Sequence, residues 1–235
     1  MQSMKDLLGF KIHAADDLFG KVKDVYFDDH SWRVRYFVVD TGTWLSERKV
    51  LLSPASAGVP DWREKSIPVV LNRVQVENAP PISSDMPISR RYEEELSEYY
   101  TWPRYWAATG LPSFDIAAVP QNPVALPPDV TTEPEGFAEG RKLHGKGDPN
   151  LRSLKEALGY RIKAVDDEIG YLKDLLGDAK HWQIQSMLVD TGNWLPGQKV
   201  LISCAAVLSV TWESGQIGVS MTKSEIENSP AYRSR

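Results

Sequence analysis

The chain has 235 residues, of which 42% are apolar and 25% charged, which is ordinary for a globular protein of one or two domains with buried cores. The formal net charge of -5 is mild and both signs are spread along the chain, so no basic stripe exists to track phosphates, and direct nucleic-acid binding is not expected. The single cysteine, Cys204, excludes an intrachain disulfide framework and fits a cytoplasmic, reducing setting. The N-terminus has no long apolar core of a signal sequence. No stretch approaches the roughly 18 to 20 apolar residues that span a bilayer, so neither export nor a transmembrane segment is expected.

An internal repeat organises the sequence. Leu8-Gly9-Phe10-Lys11-Ile12 aligns with Leu158-Gly159-Tyr160-Arg161-Ile162, and the same offset holds without a gap to Glu77-Asn78-Ala79-Pro80 against Glu227-Asn228-Ser229-Pro230. In chain order, Asp16-Asp17 with Gly20, and Asp166-Asp167 with Gly170, read as the turn of a hairpin, with Gly supplying positive φ. The runs Trp32 to Asp40 and Trp182 to Asp190 alternate in their first halves, as strands buried on one face do. Val22 and Val25 are both apolar yet an odd number apart, which predicts a β-bulge at Lys23-Asp24, and Lys173-Asp174 holds the same place. Further strands are predicted at Lys49 to Ser53, around Val59 and at Ile67 to Leu71, matched by Lys199 to Ser203, Val207 to Val210 and Ile217 to Met221. Each copy ends in a helical turn, Asn72 to Glu77 and Thr222 to Glu227, before Pro80 and Pro230.

Between the copies, Ser89 is placed to cap a helix running to about Tyr100, with Glu93, Glu94 and Glu95 near its positive end. Tyr92, Leu96 and Tyr99 fall on one side of it, and Trp102, Tyr105 and Trp106 follow. These six residues form the candidate partner-binding surface, because so dense an apolar cluster must bury itself on something. The domains predicted are a first barrel over 6–82, an aromatic helical segment over 83–108, a Pro-rich linker over 109–152 and a second barrel over 153–232. The fold class expected is all-β, with two small antiparallel barrels.

The repeated residues resemble the PRC-barrel family, found in the cytoplasmic domain of the photosynthetic reaction centre H subunit and at the end of the ribosome maturation factor RimM. The pattern is Leu-Gly at the start, Asp17-Leu-Phe-Gly20 or Asp167-Glu-Ile-Gly170, Asp28 or Asp178, Val38-Val39-Asp40 or Leu188-Val189-Asp190, then Lys-Val-Leu. The segment Ser89-Arg-Arg-Tyr-Glu with Tyr99-Tyr-Thr-Trp-Pro-Arg-Tyr-Trp106 resembles the tail after the barrel in soluble two-barrel bacterial members. The resemblance implies a non-catalytic protein-interaction module or modulator, linked to a photosynthetic or other membrane redox complex. It implies a protein partner or self-association and no cofactor. A ribosome-assembly role is the reading RimM would add, and the acidic charge opposes it.

Asp-Thr-Gly, present as Asp40-Thr41-Gly42 and Asp190-Thr191-Gly192, carries the alternative from another class. Two apolar residues before Asp-Thr-Gly, once in each half of a duplicated β protein, is how aspartic proteases supply two carboxylates that share a proton. The bulky Trp44 and Trp194 that follow favour a strand-ending turn instead. Asp16 with Asp17, and Asp166, Asp167 with Glu168, carry enough oxygens to suggest a hard cation, but match no EF-hand spacing. His13, His30, His144, His181 and Cys204 are too scattered for a zinc site, so no metal site is expected.

Overall fold

The computed structural model describes residues 1–14, 18–45, 48–80, 88–106, 150–192, 198–229 and 232, the side chain of Trp44 excepted. A short N-terminal strand, β1 (Gln2–Ser3), precedes the first copy, which comprises β2 (Lys11–His13), β3 (Leu18–Asp28), β4 (Arg33–Asp40), β5 (Lys49–Leu52), β6 (Ser66–Pro68) and the helical turn α1 (Arg73–Glu77). Helix α2 (Arg90–Tyr100) follows. Strand β7 (Leu151–Ser153) and a turn of helix, α3 (Leu154–Ala157), then lead into the second copy. That copy comprises β8 (Arg161–Lys163), β9 (Glu168–Asp178), β10 (Gln183–Asp190), β11 (Lys199–Ser203), β12 (Val207–Thr211), β13 (Gln216–Val219) and α4 (Lys223–Glu227).

The two copies share one strand order, except that the second adds β12 beside β13 where the first has only the isolated bridges Ala57↔Val69 and Asp61↔Ser66 in place of the strand expected around Val59. In the first, β3 pairs with β2 and β4, β4 with β5, and β2 with β6; in the second, β9 pairs with β8 and β10, β10 with β11, and β8 with β13. The mostly β character expected from the sequence is present, but each copy is not wholly antiparallel. Ile12 pairs with Ile67, and Ile162 with Ile217, in parallel register. These partners are remote in the chain, so the return is a crossover and no hairpin constrains their direction. The two terminal turns are held by full capping boxes, Asn72 with Gln75 and Thr222 with Glu225, because side chain and backbone at each position satisfy the other's orphan donor.

The β-bulge expected at Lys23 is present: Val22 pairs with Val39 and Asp24 with Val38, and Leu172, Asp174, Val189 and Leu188 repeat it. Gly20 and Gly170 lie in strands rather than in the hairpin turn. Both need glycine for close approach, since a Cβ would collide with the carbonyl of Asp40 or of Asp190, and Gly170 also takes the positive φ expected of it (153°), which Gly20 does not. Asp16 and Asp17 lie outside the described residues.

Each copy sends its leading strand to the other. β1 pairs with β9 through Gln2↔Gly177 and Ser3↔Leu176, while β7 pairs with β3 through Tyr26↔Ser153, Phe27↔Arg152 and Asp28↔Leu151. Leu151 and Arg152, which the sequence reading assigns to the linker, are therefore part of this β structure. At the centre β4 meets β10 at Arg33↔Gln183, with Val34 N–H donating to the Trp182 carbonyl (2.9 Å) and Ile184 N–H to that of Trp32 (2.8 Å). The strands β7-β3-β4-β10-β9-β1 thus form one antiparallel sheet across both copies. Trp182 stands edge-on to Phe37 of the first copy at 4.8 Å, and Trp32 stacks on Phe27 at 5.7 Å.

The crossing strands are latched by a matched pair of contacts. Ser3 Oγ donates to Asp174 (2.5 Å) and Ser153 Oγ to Asp24 (2.5 Å), and each carboxylate also accepts a backbone N–H, from Lys5 (3.0 Å) and Lys155 (3.1 Å) respectively. Each serine also accepts an N–H three residues on, from Asp6 and Glu156, so it caps its own turn while donating to the other copy. The bulges place these aspartates, which otherwise read as surface strand charges. Burial raises the Asp174 carboxyl above its ordinary range, with the Ser3 hydroxyl and the Lys5 and Leu175 amides acting in the opposite sense.

Candidate partner-binding site

Helix α2 begins where the sequence places it, with Ser89 Oγ accepting from Tyr92 N–H (3.2 Å), and stops at Thr101 in the left-handed region (φ 59°). Its covered face carries Glu93, Leu96 and Ser97, all buried. Glu93 is completely buried, and a charge so placed needs partners. It has them: Arg90 Nη1 lies 2.9 Å from Oε2, the Tyr105 hydroxyl donates to Oε1 (2.7 Å), and Tyr36 of β4 hydrogen-bonds to it as well. Burial, then the Glu93 charge, push the Tyr36 hydroxyl far above its ordinary range.

The rings complete the docking on the first copy. Trp102 is buried and its Nε1–H donates to Ser56 Oγ (2.5 Å), while Tyr100 stacks on it at 4.3 Å. The Tyr92 and Tyr99 hydroxyls donate to the carbonyls of Pro80 and Gln75, each at 2.9 Å. The guanidinium of Arg35, itself paired with Asp28 (3.4 Å), lies 3.8 Å over Tyr105, and that of Arg90 lies 4.4 Å over Trp106.

Of the six residues singled out by sequence, Leu96 and Trp102 are therefore committed to the chain's own packing. Tyr92, Tyr105 and Trp106 are half-buried, and Tyr99 is 41% exposed. Tyr99 sits beside α1, whose Val74 is 62% exposed. Glu93, Tyr36 and Arg35 were missed by the sequence reading. The available signal was helical spacing: Glu93 precedes Leu96 by three residues and so shares its face. Arg35, Tyr36 and Ser56, which receive α2, correspond to Gln185, Ser186 and Ala206 in the second copy. A helix like α2 would find no guanidinium there for an ion pair or a cation–π contact, and Ser186 offers the one hydroxyl of the three.

Asp40 and Asp190 do not come together. They end β4 and β10, which meet only near Arg33 and Gln183 and run apart in opposite directions. At about 3.3 Å per residue, straight strands would separate the two carboxylates by roughly 40 Å. The shared-proton pair of the hydrolase alternative is thus not assembled within the chain. Each Asp-Thr-Gly is instead a strand-ending turn: Asp40 and Asp190 Oδ1 accept from Gly42 and Gly192 N–H (3.0 and 3.1 Å), with those glycines at φ 62° and 60°. Buried Thr41 and Thr191 donate to the carbonyls of Arg48 (2.6 Å) and Gln198 (2.9 Å). Asp40 also lines an open groove with Lys21, Lys23 and Lys155.

In the second copy the acidic turn is occupied by protein groups. Asp166 Oδ1 accepts the Lys223 N–H (2.8 Å) and Asp167 pairs with the Lys223 ammonium (2.6 Å). No cluster of three metal-ligating side chains is found among the described residues, and no described helix is long and apolar enough to cross a membrane.

This architecture defines a mostly β protein whose two halves exchange strands and whose first half carries a docked aromatic helix. Residues 2–78 match the family model of the PRC-barrel domain, so the first copy is a PRC-barrel domain. No curated protein matches the chain.

Proposed function

We propose that the chain is a non-catalytic protein-interaction module whose partner binds the aromatic ledge of α2. The observation that carries this reading is the division of labour among the rings. Leu96, Trp102 and the buried Glu93 fix the ledge, Tyr105 and Trp106 keep exposed area beside Arg90, and Tyr99 keeps its own beside α1. Pre-organised Trp, Tyr and Arg side chains are the usual anchors of protein interfaces, since little side-chain freedom is lost when they are covered. By the family resemblance, the partner is a component of a membrane-bound redox complex, met from its cytoplasmic side.

The test is a Tyr99→Ala, Trp106→Ala double variant compared with Trp102→Ala in affinity capture followed by mass spectrometry. The double variant is expected to keep the melting temperature within a few degrees and to lose the partner that the wild-type chain recovers. Trp102→Ala is expected to lower stability by about 3 kcal/mol or more, because it removes a buried indole. Unchanged partner recovery by the folded double variant would contradict a ledge interface.

A further inference from the structure

The contacts between the two copies are isologous in form. The latch Ser3 to Asp174 is matched by Ser153 to Asp24, and the bond from Val34 to Trp182 by the bond from Ile184 to Trp32. Such a surface is made when identical subunits pair about a two-fold axis. Here both sides belong to one chain, joined through residues 107–149. The closed chain needs little of that length. Tyr105 lies on Arg35, which pairs with Asp28, and Asn150 accepts from the N–H of Asp29, so both ends of the connection are anchored at neighbouring residues. A connection of this length can reach more than about 100 Å when extended.

Among the seam contacts that break the symmetry, which include the bonds from Gln183 Nε2 to the Ser31 and Trp32 carbonyls, one charged pair sets which halves match. Arg152 Nε lies 2.7 Å from Asp29, both largely covered, whereas at the equivalent place in the other arm Gln2 only accepts the N–H of Ala179 (3.4 Å). Two first halves would set Gln2 against Asp29, and two second halves would set Arg152 against Ala179. Only a first half with a second half makes the ion pair.

We propose that this seam is also a docking surface for a second copy of the chain, the first half of each chain pairing with the second half of the other in an exchanged dimer. This deepens the interaction-module reading by naming one partner, and its variants change Asp29 and Arg152 rather than Tyr99 and Trp106, so the failure of one reading is distinguishable from the failure of the other. All seam contacts are conserved in the exchange; what changes is loop closure. A tethered half meets its mate at an effective concentration on the order of 1 mM, so the closed monomer holds in dilute solution and the dimer forms as protein approaches that concentration.

Two full-length charge variants test it. Asp29→Arg alone faces Arg152 with a like charge, and Arg152→Asp alone faces Asp29 with one. In an exchanged dimer of the two, one seam carries Asp29 with Arg152 and the other carries the reversed pair. Refolding the two together is expected to give a one-to-one dimer by size-exclusion chromatography with light scattering, while each alone, and the chain carrying both changes, gives none. Absence of dimer in the mixture while the chain carrying both changes folds as a monomer would overturn the proposal, as would equal dimerisation by the single variants. Should the chain carrying both changes fail to fold, tagged and untagged wild-type chains refolded together at about 1 mM decide. Untagged chain that stays with the tag after dilution supports exchange, and none recovered overturns it.

Discussion

Trp32 and Trp182 hold the same place in the two copies, each in the left-handed region at φ 55° and 54°, and each gives its carbonyl to the strand of the other copy. A bulky residue holds that conformation only where its surroundings impose it. The surroundings here are the seam itself. Trp182→Ala removes the edge-on contact with Phe37 and a buried ring, and is expected to cost about 3 to 5 kcal/mol. Because the seam is shared, the loss should lower one common unfolding transition; two separated transitions in the wild-type chain would show the copies folding apart.

Ser3→Ala and Ser153→Ala each remove a donor from a carboxylate of the other copy and a cap from their own turn. Each is expected to cost about 1 to 3 kcal/mol in denaturant unfolding. The two should have similar effects because their partners are equivalent. A neutral result at both would mean that the latches do not hold the crossing strands.

Much of this structure is legible in the sequence. Asn72 with Gln75, Thr222 with Glu225, and Ser89 announce their helices because capping is a local arrangement of side chain and backbone. The bulge at Lys23 is legible because Val22 and Val25 cannot otherwise share a face. The crossing strands are not: two or three residues, Gln2–Ser3 and Leu151–Ser153, are too short to show a period, and their partners lie in the other copy. Glu93 misled for a related reason. Among three consecutive glutamates it reads as a solvated helix start, and only Tyr36 and Tyr105, remote in sequence, reveal that it is buried.

Glu93→Ala leaves Arg90, Tyr105 and Tyr36 facing a cavity where a buried charge stood. Breaking such a cluster is expected to cost about 3 to 5 kcal/mol. The loss should fall on α2, read as faster protease cleavage within residues 88–106 while the strands stay protected. Cleavage at the wild-type rate would show that Glu93 does not fasten the helix.

The Lys223 ammonium, through a hydrogen bond and its charge, holds the exposed Asp167 carboxyl below its ordinary range, and His181 does the same for Asp178. Folded values below the unfolded ones mean that these contacts stabilise at pH above the ordinary carboxylate range of about 4 and are lost as pH falls through the folded values. Lys223→Met is expected to return Asp167 toward that range in a carboxyl-carbon NMR titration, leaving Asp178 unmoved. No change at Asp167 would mean that the pair does not form in solution.

Native-state hydrogen exchange at Val34 and Ile184 reports the joining of the two copies most directly, since each amide is bonded to a carbonyl of the other copy. Both are expected to exchange as slowly as the central amides of β3 and β9, and to be accelerated together by Trp182→Ala. Fast exchange at both in the wild-type chain, with slow exchange retained inside each copy, would contradict a single sheet spanning the two.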